Sequence, residues 1–361
     1  MTARDLKPRH IAPGLTVNPL GVGCWAIGGP TVHAGLPAGW GPVEDARSLD
    51  GLRTAVEHGA NFFDTADVFG HGHSERLLGQ LLREVDRESV HIASKVGWVR
   101  GTAPHPYAGP KLRHQFEQSM ENLGVEYLDA YFLHTLDFGD DDDYLHVAIN
   151  QMHALREAEY IKAIGMRGPH PLASDRKDAA DVRSARFAKI FRLLRPDVLW
   201  TRCNPLSPPT LVDGEDLFSF TARHGVSLML TEPLAQGLLT GKYHPGAPAA
   251  FFGPGDHRQH KRWFTNPGLE IIDRGLETLR ESFGRHPQAL VRVALRYSLQ
   301  QADHTAVIAG FTTAEQIREN YSCLGEPLTH EELAFVDNTY GRIRNELHVT
   351  GDTYRRVEVT V

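Results

Sequence analysis

The chain alternates between short apolar segments and amphipathic segments from about residue 20 to residue 321. The apolar segments are strand-like, and the segments between them carry apolar residues at helical spacing, as residues 112–123 do. Strict strand–helix alternation is typical of a parallel sheet with helices outside it. About eight such units are present, the number that closes a barrel. The sequence therefore predicts one α/β domain over residues 1–361, a (β/α)8 TIM barrel with long C-terminal-face loops and an irregular tail from about residue 341.

Composition argues against several other classes of protein. The 361 residues carry a formal charge of −7 with a pI near 6.3, which gives no support for nucleic-acid binding. No apolar run is long enough to cross a membrane, and residues 1–13 lack the apolar core of a signal peptide. Cys24, Cys203 and Cys323 have no paired spacing, which indicates a reducing compartment, so we expect a cytoplasmic protein. The expected partner is a small-molecule substrate, and no feature of the sequence specifies an oligomeric state.

Three successive predicted strands end on an ionisable residue. Asp64 follows a short phenylalanine run, Lys95 ends the segment at residues 90–95, and His134 ends the next strand. In α/β barrels, the carboxyl ends of the strands carry the active site. An aspartate there is also a common helix cap, but Asp, Lys and His at three successive strand ends are hard to obtain from packing alone. These three residues are the candidate catalytic group. No metal site is predicted, because the acidic run at residues 140–143 is interpreted as a solvated helix start.

Aromatic residues near the predicted strand ends are candidates for the wall of a pocket. Trp25 ends the first strand before a glycine-rich loop, and a core position is an equal alternative for it. The connection at residues 244–266 has no regular pattern and contains aromatic residues, among them Phe251 and Trp263. A long loop of this kind in a compact domain is usually functional or mobile. We therefore expect it to cover the substrate and to place Trp263 in the pocket, with a plain surface excursion as the alternative.

Three separated motifs resemble those of one known family. Residues 59–68, GANFFDTADV, are similar to the first signature of the aldo-keto reductases. Residues 233–242, PLAQGLLTGK, resemble the pyrophosphate loop of that family, and Gly310 with residues 315–320, EQIREN, resembles its adenosine-binding end. Three motifs in the family's order are a more specific signal than one glycine-rich match. The resemblance covers nearly the whole chain and implies a barrel that binds extended NADP(H) across its C-terminal mouth.

The resemblance also implies a set of catalytic residues and one departure from it. The family uses Asp, Tyr, Lys and His, in which the tyrosine hydroxyl gives a proton to the carbonyl oxygen as hydride arrives. Asp64, Lys95 and His134 match their positions, but Phe69 stands where the tyrosine is expected. Phenylalanine has no proton to give, so the acid would have to be another group. The candidates are His134 or Lys95 acting through a water, and the loop histidine His71 with its neighbour at residue 73, for which a solvated loop position is the alternative.

The phosphate-binding and adenosine-binding ends match the family pattern, whereas the nicotinamide end does not. Arg167 replaces the serine that usually holds the carboxamide, so it is either an anchor for an anion or carbonyl in the pocket, or a salt-bridge partner, for example of Glu232. Trp200 and Cys203 also replace usual residues. Residues 313–316 form a capping-box pattern that can also present helix N–H groups to a phosphate. The cofactor residues that the resemblance implies are Asn204, Pro233, Leu234, Gln236, Gly237, Leu238, Lys242, Gly310, Thr312, Gln316 and Asn320.

Three functions are compatible with these residues. The first is an NADP(H)-binding oxidoreductase that acts on a small carbonyl or sugar-like substrate with an atypical acid. The second is a redox-neutral enzyme (a lyase, dehydratase or epimerase) in which Asp64, Lys95, His134 and Arg167 are acid–base groups. The third is a non-catalytic sensor of NADP(H). The first is favoured because the phosphate motif is intact, and the preference for NADP over NAD stays open because no arginine stands beside Thr312.

Overall fold

Eight parallel strands close into a barrel surrounded by helices, which confirms the predicted fold class. The structure, a computed structural model, describes residues 7–33, 35–169, 177–246, 252–322 and 324–349. Each barrel strand pairs with the next one along the chain, and the eighth pairs with the first. In chain order the barrel strands are Leu20–Gly23, Phe62–Asp64, His91–Val96, Leu128–Leu133, Ile161–Arg167, Val198–Arg202, Ser227–Thr231 and Thr305–Gly310.

Long helices follow most of the strands, and short elements decorate both ends of the barrel. The helices are α1 Asp45–Glu57, α2 His73–Leu82, α3 Gly109–Leu123, α4 Leu145–Glu157, α5 Lys177–Leu194, α6 Leu217–His224, α7 Gly268–Phe283, α8 Pro287–Leu299, α9 Ala314–Ser322 and α10 His330–Val349. The two-stranded hairpins are Arg9–Ala12 with Leu15–Val17, Val32–His33 with Leu36–Pro37, and Leu211–Val212 with Glu215–Asp216. The 3₁₀ helices are Ala26–Gly28, Arg87–Ser89, Asp140–Asp142, Ala235–Thr240, His257–His260 and Arg262–Phe264.

Alternate residues along the strands fill the inside of the barrel. Phe62, Ala93 and Phe132 belong to one buried cluster there, which also includes apolar residues of the hairpin at residues 9–17. Their chain neighbours, such as Phe63, belong to the outer cluster that packs beneath the helices. Because strand side chains alternate between the two faces of a sheet, the residue two places beyond an interior residue also faces the lumen. This alternation decides which residues reach the mouth.

Local sequence signals explain where the helices begin and end. The Asp216 side chain caps α6, accepting hydrogen bonds from the backbone N–H groups of Phe218 and Ser219 at 3.0 and 3.2 Å. The same helix ends at Gly225, which has a φ of 66° that glycine adopts without strain. Gly59, with a φ of 89°, follows α1 in the same way. Both glycines stand shortly before a barrel strand, Ser227–Thr231 in one case and Phe62–Asp64 in the other.

Two parts of the fold differ from the sequence prediction. Helix α7 was not predicted, because it follows the long irregular connection and no side-chain cap marks its start. The prediction of an irregular tail from about residue 341 is wrong up to Val349, because α10 continues as a helix to that residue. Tyr340, Ile343 and Leu347 in α10 are buried, and Ile343 lies against Gly275 of α7. This helix begins at a capping box, in which the Glu332 backbone donates to the Thr329 hydroxyl at 3.1 Å and the Thr329 backbone donates to the Glu332 carboxylate at 2.7 Å. Packing against α7 stabilises its later turns.

None of the described helices is both long and apolar enough to cross a membrane. Within the described residues there is no group of three or more His, Cys, Asp or Glu side chains placed to hold a metal ion. Cys24 and Cys203 are buried free thiols, whereas Cys323 lies outside the described residues.

Candidate active site

A buried ion pair between Asp64 and Lys95 lies at the mouth of the barrel. Each residue lies two places beyond an interior apolar residue, Phe62 or Ala93, so both side chains face the lumen. The Nζ atom of Lys95 donates hydrogen bonds to Oδ1 of Asp64 and, at 2.7 Å, to the carbonyl oxygen of Thr65. Burial raises the pKa of Asp64, and the charge of Lys95 opposes that change. One lysine thus compensates only in part for the lost solvation of this carboxylate.

Phe69 lies directly beside this ion pair. The Nζ atom of Lys95 is 5.1 Å from the centroid of the Phe69 ring. The ring stacks against Trp25 with centroids 6.1 Å apart, and it meets the ring of His134 edge-on with centroids 6.0 Å apart. Phe69 therefore lies between Lys95, His134 and Trp25. In this position its ring can limit the size and orientation of a substrate, but it cannot exchange a proton with it.

His134 reaches the same space from the fourth strand. Its backbone N–H donates to the carbonyl oxygen of Val96 at 2.8 Å, and its side chain is buried, with Nδ1 lacking a hydrogen-bond partner among the described residues. Burial lowers the pKa of His134 well below its usual value, and the charges of Lys95 and Arg167 lower it further. The imidazole is consequently neutral at ordinary pH, so it can donate a hydrogen bond but is a poor proton donor.

Arg167 lies next to the histidine on the fifth strand. Leu133 and Met166 are paired in register on the fourth and fifth strands, and both belong to the outer core. The residues that follow them, His134 and Arg167, therefore lie side by side on the lumen side. Trp200 is paired in register with Arg167 on the sixth strand, and the guanidinium carbon of Arg167 is 5.3 Å from its ring centroid.

The charged residues of the sixth and seventh strands form a separate pair. Arg202 is two places beyond Trp200, and its Nε atom lies 3.1 Å from Oε1 of Glu232. The Glu232 carboxylate, which the sequence analysis considered as a partner for Arg167, thus contacts Arg202. Burial would raise the pKa of Glu232, but the charges of Arg202 and Lys261 outweigh it and lower that pKa.

Aromatic side chains form much of the wall of the cleft. Trp25 contacts Trp40 edge-on with centroids 5.2 Å apart, and its Nε1 donates to the carbonyl oxygen of Ala38 at 3.0 Å. Trp98 meets His134 at right angles with centroids 6.1 Å apart. With Trp200, four of the five tryptophans of the chain line the cleft. Such a wall suits a ligand with a flat or apolar face.

The long connection after the seventh strand folds over this wall. Arg258 lies 4.0 Å from the ring centroid of Trp40 and 4.5 Å from that of Phe252, and its guanidinium pairs with Asp256 at 2.7 Å. Beside it, His257 packs on Trp25 with centroids 5.3 Å apart. We expected residues 244–266 to cover the mouth of the barrel. Phe252, His257 and Arg258 of the described part line the cleft there, as this prediction requires, whereas Phe251 lies outside the described residues.

The loop after the seventh strand combines a strained backbone with an unsatisfied side-chain amide. Ala235, Gln236 and Gly237 have φ values of 47°, 60° and 93°, a run in which two non-glycine residues are strained. The Gln236 side chain is buried, yet neither its oxygen nor its nitrogen has a hydrogen-bond partner among the described residues. Lys242, at the end of the same loop, also lines the cleft. Strain and an unsatisfied amide together indicate that this loop is built for a polar ligand.

The last strand and α9 close the other end of the cleft. The Thr313 hydroxyl accepts a hydrogen bond from the Gln316 backbone at 3.3 Å, and the Gln316 side chain accepts one from the Thr312 backbone at 2.8 Å. The capping interactions expected from the sequence are thus present, and Thr312 and Gln316 still line the cleft beside Gly310 and Asn320. The whole cleft measures ≈ 1630 Å³, more than the roughly 300–1,000 Å³ of a typical small-molecule pocket.

The structure brings most of the predicted site residues to this one cleft. Those that line it are Asp64, Lys95, His134, Trp25, Phe69, Arg167, Pro233, Leu234, Gln236, Gly237, Lys242, Gly310, Thr312, Gln316 and Asn320.

Two residues predicted for the substrate pocket lie elsewhere. His71 is exposed, and its Nε2 lies 3.4 Å from the carbonyl oxygen of Val32, because three successive positive φ values at residues 70–72 turn the chain outward. Trp263 is buried against the start of α7, where Gly268 packs on its backbone, and Lys261 lies 4.8 Å from its ring. The aromatic pattern of the loop did not distinguish a residue that anchors it from one that faces a ligand.

Two residues predicted to bind the cofactor also have other roles. The Asn204 amide donates to the carbonyl oxygen of Glu232 at 2.8 Å, and its oxygen accepts from the Leu206 backbone at 3.0 Å, so the side chain braces two loops. Leu238 is fully buried in the outer core. Neither residue is among those that line the cleft.

The sequence analysis missed several residues that line the cleft. Trp40 and Trp98 lie in irregular loops, and only their residue type hinted at a pocket. His257 comes from the covering loop, and Arg280 belongs to the unpredicted helix α7. Arg202 had a detectable signal, because it lies two places beyond Trp200 on the same strand.

Comparison with known proteins places the chain in a family. The model of the aldo/keto reductase family matches residues 19–340, a range that contains all eight barrel strands and α9. The chain belongs to the aldo-keto reductase family. The predicted resemblance is therefore confirmed.

Named relatives of this aldo-keto reductase differ in activity. The NADH-specific methylglyoxal reductase of Escherichia coli strain K12 is 26% identical over 335 residues, which cover 89% of this chain and 94% of the relative. The L-glyceraldehyde 3-phosphate reductase of Escherichia coli O157:H7 is 28% identical over 331 residues, with 85% and 88% covered. A probable voltage-gated potassium channel subunit beta of Arabidopsis thaliana is also 28% identical, over 320 residues, with 85% and 87% covered.

Solved structures of the family share the fold. The glycerol dehydrogenase of Gluconobacter oxydans superposes with a TM-score of 0.71 at 23% identity, covering 98% of each chain. An aldo/keto reductase of Klebsiella pneumoniae, solved in complex with NADP and acetate, has a TM-score of 0.62 at 22% identity, covering 93% of this chain and 95% of that one.

Proposed function

We propose that this protein is an NADP(H)-dependent oxidoreductase that acts on a small carbonyl or sugar-like substrate, with Lys95 as the acid in place of tyrosine. The observation that carries the proposal is the buried pair of Asp64 and Lys95, which opens onto the cleft beside Phe69. Burying a charged pair costs desolvation energy, and such pairs cluster at sites where the charged groups take part in a reaction. The relatives named as methylglyoxal reductase and glyceraldehyde 3-phosphate reductase are consistent with a small carbonyl substrate.

The residues of the cleft fit a nicotinamide dinucleotide. The strained backbone at residues 235–237 and the unsatisfied amide of Gln236 suit a pyrophosphate, and Lys242 would add a positive charge. Arg280 and the N-terminus of α8, which begins with a proline at residue 287, line the same part of the cleft. When bound, the dinucleotide supplies a hydride, and hence two electrons, to the carbonyl carbon.

The protein must then supply one proton to the carbonyl oxygen. His134 is neutral because burial and two nearby cations lower its pKa, so giving up its proton would leave an imidazolate. The ammonium group of Lys95 pairs with Asp64 and lines the cleft, so it is the group that we assign as the acid. In this assignment His134 donates a hydrogen bond that orients the carbonyl oxygen, and Asp64 holds the lysine in place.

One experiment tests the cofactor and the acid together. Purified wild type, Lys95→Met and Phe69→Tyr are titrated with NADPH and with NADH, following tryptophan fluorescence, and each is assayed for reduction of methylglyoxal. We expect wild type to bind and turn over. Lys95→Met should bind the cofactor with similar affinity but lose at least about 100-fold in kcat, since general acid catalysis contributes about 10²–10⁴-fold. Phe69→Tyr should raise kcat by restoring a hydroxyl beside Lys95.

Other outcomes would redirect the proposal. Activity in Lys95→Met close to that of wild type would remove the lysine as the acid. Tight cofactor binding with turnover only in Phe69→Tyr would favour a redox-neutral reaction or a sensor role, and the channel-subunit relative makes the sensor a concrete alternative. Failure to bind either dinucleotide would overturn the oxidoreductase proposal.

A further inference from the structure

Asp67 is a buried acidic residue that the proposed reaction does not use. It follows Asp64 by three positions, only 1% of its surface is exposed, and its backbone N–H donates to the carbonyl oxygen of Lys95 at 3.4 Å. Neither carboxylate oxygen has a hydrogen bond of ordinary geometry among the described residues, although the nearby backbone N–H of Val68 favours the charged form in part. Buried polar groups are nearly always hydrogen-bonded, and an unpaired buried charge is costly. A charged carboxylate is therefore poorly accommodated at this position.

A second buried carboxylate lies near Asp67 and is better suited to carry a charge. Glu75 of α2 is fully buried, and its two oxygens accept hydrogen bonds from the Ser94 hydroxyl at 2.7 Å and from the Asn122 amide at 2.9 Å. Burial raises the pKa of Glu75, but these donors and the charge of Arg76 oppose that change. Burial raises the pKa of Asp67 well above its usual value, and the charge of Glu75 raises it further. When two carboxylates share a buried site, the one with fewer donors is the one that takes a proton.

The cations around Asp67 do not neutralise it. Lys111 of α3 and Lys95 of the third strand oppose the rise in its pKa through their charges. Neither ammonium group forms an ion pair with Asp67 among the described residues. Lys111 instead donates to the side chain of Gln115 at 2.6 Å, and Lys95 donates to Asp64. Both cations are thus engaged with other acceptors.

Two tyrosine hydroxyl groups complete the ionisable surroundings of Asp67. Tyr131 lies on the fourth strand and Tyr107 in the loop before α3, and both side chains are fully buried. Burial raises the pKa of each phenol, and the charge of Asp67 contributes to the rise. Both hydroxyls are therefore neutral at ordinary pH, so they neither offset nor add to a charge on Asp67.

We propose that Asp67 is an uncharged carboxylic acid in the working protein, and that its neutrality keeps the ammonium group of Lys95 able to release its proton. The second part of this inference rests on the proposed function, in which Lys95 is the acid, whereas the first part does not. Lys95 already pairs with Asp64. A second negative charge nearby would stabilise the ammonium further and weaken it as an acid. Asp67 is not among the residues that line the cleft, so it is a positioning residue that acts through the lysine.

Asp67→Asn tests the protonation state without turnover, because an amide has the shape of the acid and no charge. A carboxyl group that is protonated in the folded state and ionised in the unfolded state costs stability as pH rises above its unfolded pKa of about 3.9. We expect the folding equilibrium constant of wild type to fall relative to that of Asp67→Asn by about tenfold for each pH unit in this range. Urea denaturation of both proteins between about pH 4 and pH 8 measures the ratio. A ratio that is independent of pH, or that favours wild type as pH rises, would refute the neutral acid.

Glu75→Gln is the matched control, since it changes the other carboxylate of the pair in the same way. Its new amide nitrogen cannot accept the hydrogen bond that Asn122 donates to the carboxylate. We expect Glu75→Gln to lower the folding equilibrium constant about 10-fold or more, as the removal of a partner from a buried hydrogen bond does. If the two variants exchanged these behaviours, the proton would belong to Glu75 and the proposal would be wrong.

NMR of carboxyl-labelled aspartate observes the proton directly. The resonance that is missing from Asp67→Asn belongs to Asp67. We expect this resonance at the chemical shift of a carboxylic acid at neutral pH, where exposed aspartates have the shift of a carboxylate. A carboxylate shift for Asp67 at neutral pH would overturn the proposal.

The dependence of kcat on pH tests the link to Lys95. Wild type, Asp67→Asn and the control Asp50→Asn, which changes an exposed aspartate of α1, are assayed for reduction of methylglyoxal with NADPH. We expect kcat of wild type and the control to fall about 3–10-fold as pH rises and Asp67 ionises, since one pKa unit of interaction is a factor of ten in proton affinity. Asp67→Asn should keep its neutral-pH kcat over the same range. A merely structural role would instead lower kcat of Asp67→Asn by one factor at every pH.

These measurements separate this inference from the proposed function. If the resonance and the stability ratio show a neutral Asp67 but wild type reduces no aldehyde, the oxidoreductase proposal fails while the buried acid stands. If wild type is active and its pH profile coincides with that of Asp67→Asn, the effect on Lys95 is refuted.

Discussion

Asp64 and Asp129 are two buried aspartates on strands of the same barrel, and they differ in the number of hydrogen-bond donors around them and in the direction of their pKa shifts. Asp129 accepts hydrogen bonds from Arg87 at 2.8 Å, Lys162 at 2.9 Å, the backbone of Ile92 at 2.9 Å and His91 at 3.3 Å. Burial alone would raise its pKa, but the hydrogen bond from His91, the charge of Arg87 and the other donors lower it.

Asp64, by contrast, receives its side-chain hydrogen bond from Lys95, the one donor to it among the described residues, and its pKa is raised by burial. The carboxylate of Asp129 is fully hydrogen-bonded within the protein, as expected of a structural site. The carboxylate of Asp64 has fewer donors among the described residues, as expected of a site that contacts a ligand. Asp129 lies near the start of its strand, where donors from three neighbouring segments meet. Asp64 lies at the carboxyl end of its strand, where barrels keep their chemistry.

The largest effect should come from removing the charge of the structural site. Asp129→Asn would leave Arg87 and Lys162 beside a neutral amide that cannot accept all of their hydrogen bonds. Removing one partner of a buried charged group costs about 3–5 kcal/mol, so we expect a loss of about 3 kcal/mol in the free energy of unfolding. Urea denaturation measures it. The folded fraction should keep its NADPH affinity, and a change below 1 kcal/mol would remove the structural assignment.

The functional site should respond in the reverse manner. In the double variant Asp64→Leu with Lys95→Met, both charges leave together, and replacing a buried ion pair by apolar residues of similar volume is often neutral or stabilising. We expect unfolding free energy to stay within about 1 kcal/mol of wild type or to rise, whereas kcat falls at least about 100-fold with the loss of the acid. A loss of stability like that of Asp129→Asn would mean that the two carboxylates do not differ in the way described.

The comparison also explains how far the sequence could predict the molecule. The alternation of strand and helix patterns predicted the barrel, and the turn residues after each apolar segment predicted where the strands end. Both signals are local in the sequence. The positions of Asp64, Lys95 and His134 at one mouth then follow from the closed topology. The Asp129 site was not predicted, because its donors come from residues 87, 91, 92 and 162 and meet only when three strands are in register.

The errors within the cleft have two physical origins. The outward turn at His71 depends on positive φ values, which a glycine on each side permits but does not require. The burial of Trp263 depends on α7, a helix held by tertiary packing. Glu232 pairs with Arg202 because the sixth and seventh strands are neighbours, with Arg202 and Thr231 paired in register. The Trp263 and Glu232 errors therefore concern contacts between segments that are distant along the chain, whereas the His71 error concerns a backbone conformation that the local sequence permits but does not require.

Acid pH should sharpen the contrast through the two pKa shifts. The pKa of Asp129 is lower in the folded state, so its stabilisation is present above the unfolded pKa of about 3.9 and is lost as pH falls toward the folded value. The pKa of Asp64 is raised, so the folded state favours its protonated form, and stability relative to the double variant declines as pH rises from about 3.9.

Unfolding free energies of wild type and both variants between pH 3 and pH 7 measure this contrast. The advantage of wild type over Asp129→Asn should shrink on acidification. The difference between wild type and the double variant should move in the opposite direction, with about 1.4 kcal/mol for each pKa unit that separates the folded and unfolded states. Parallel curves for the two variants would contradict the opposite signs of the shifts.

The smallest expected effect concerns one donor of the structural site. Lys162 reaches Asp129 at 2.9 Å, but its side chain is 38% exposed, and its ammonium also lies 4.2 Å from the centroid of Tyr127. In Lys162→Met the carboxylate keeps Arg87, His91 and its backbone donor, and exposed ion pairs contribute little, so we expect a loss of less than about 1 kcal/mol in urea denaturation. A loss as large as that of Asp129→Asn would show that the donors act as one cooperative unit. A small loss would mean that the site tolerates the removal of single donors, which is the redundancy that Asp64 lacks.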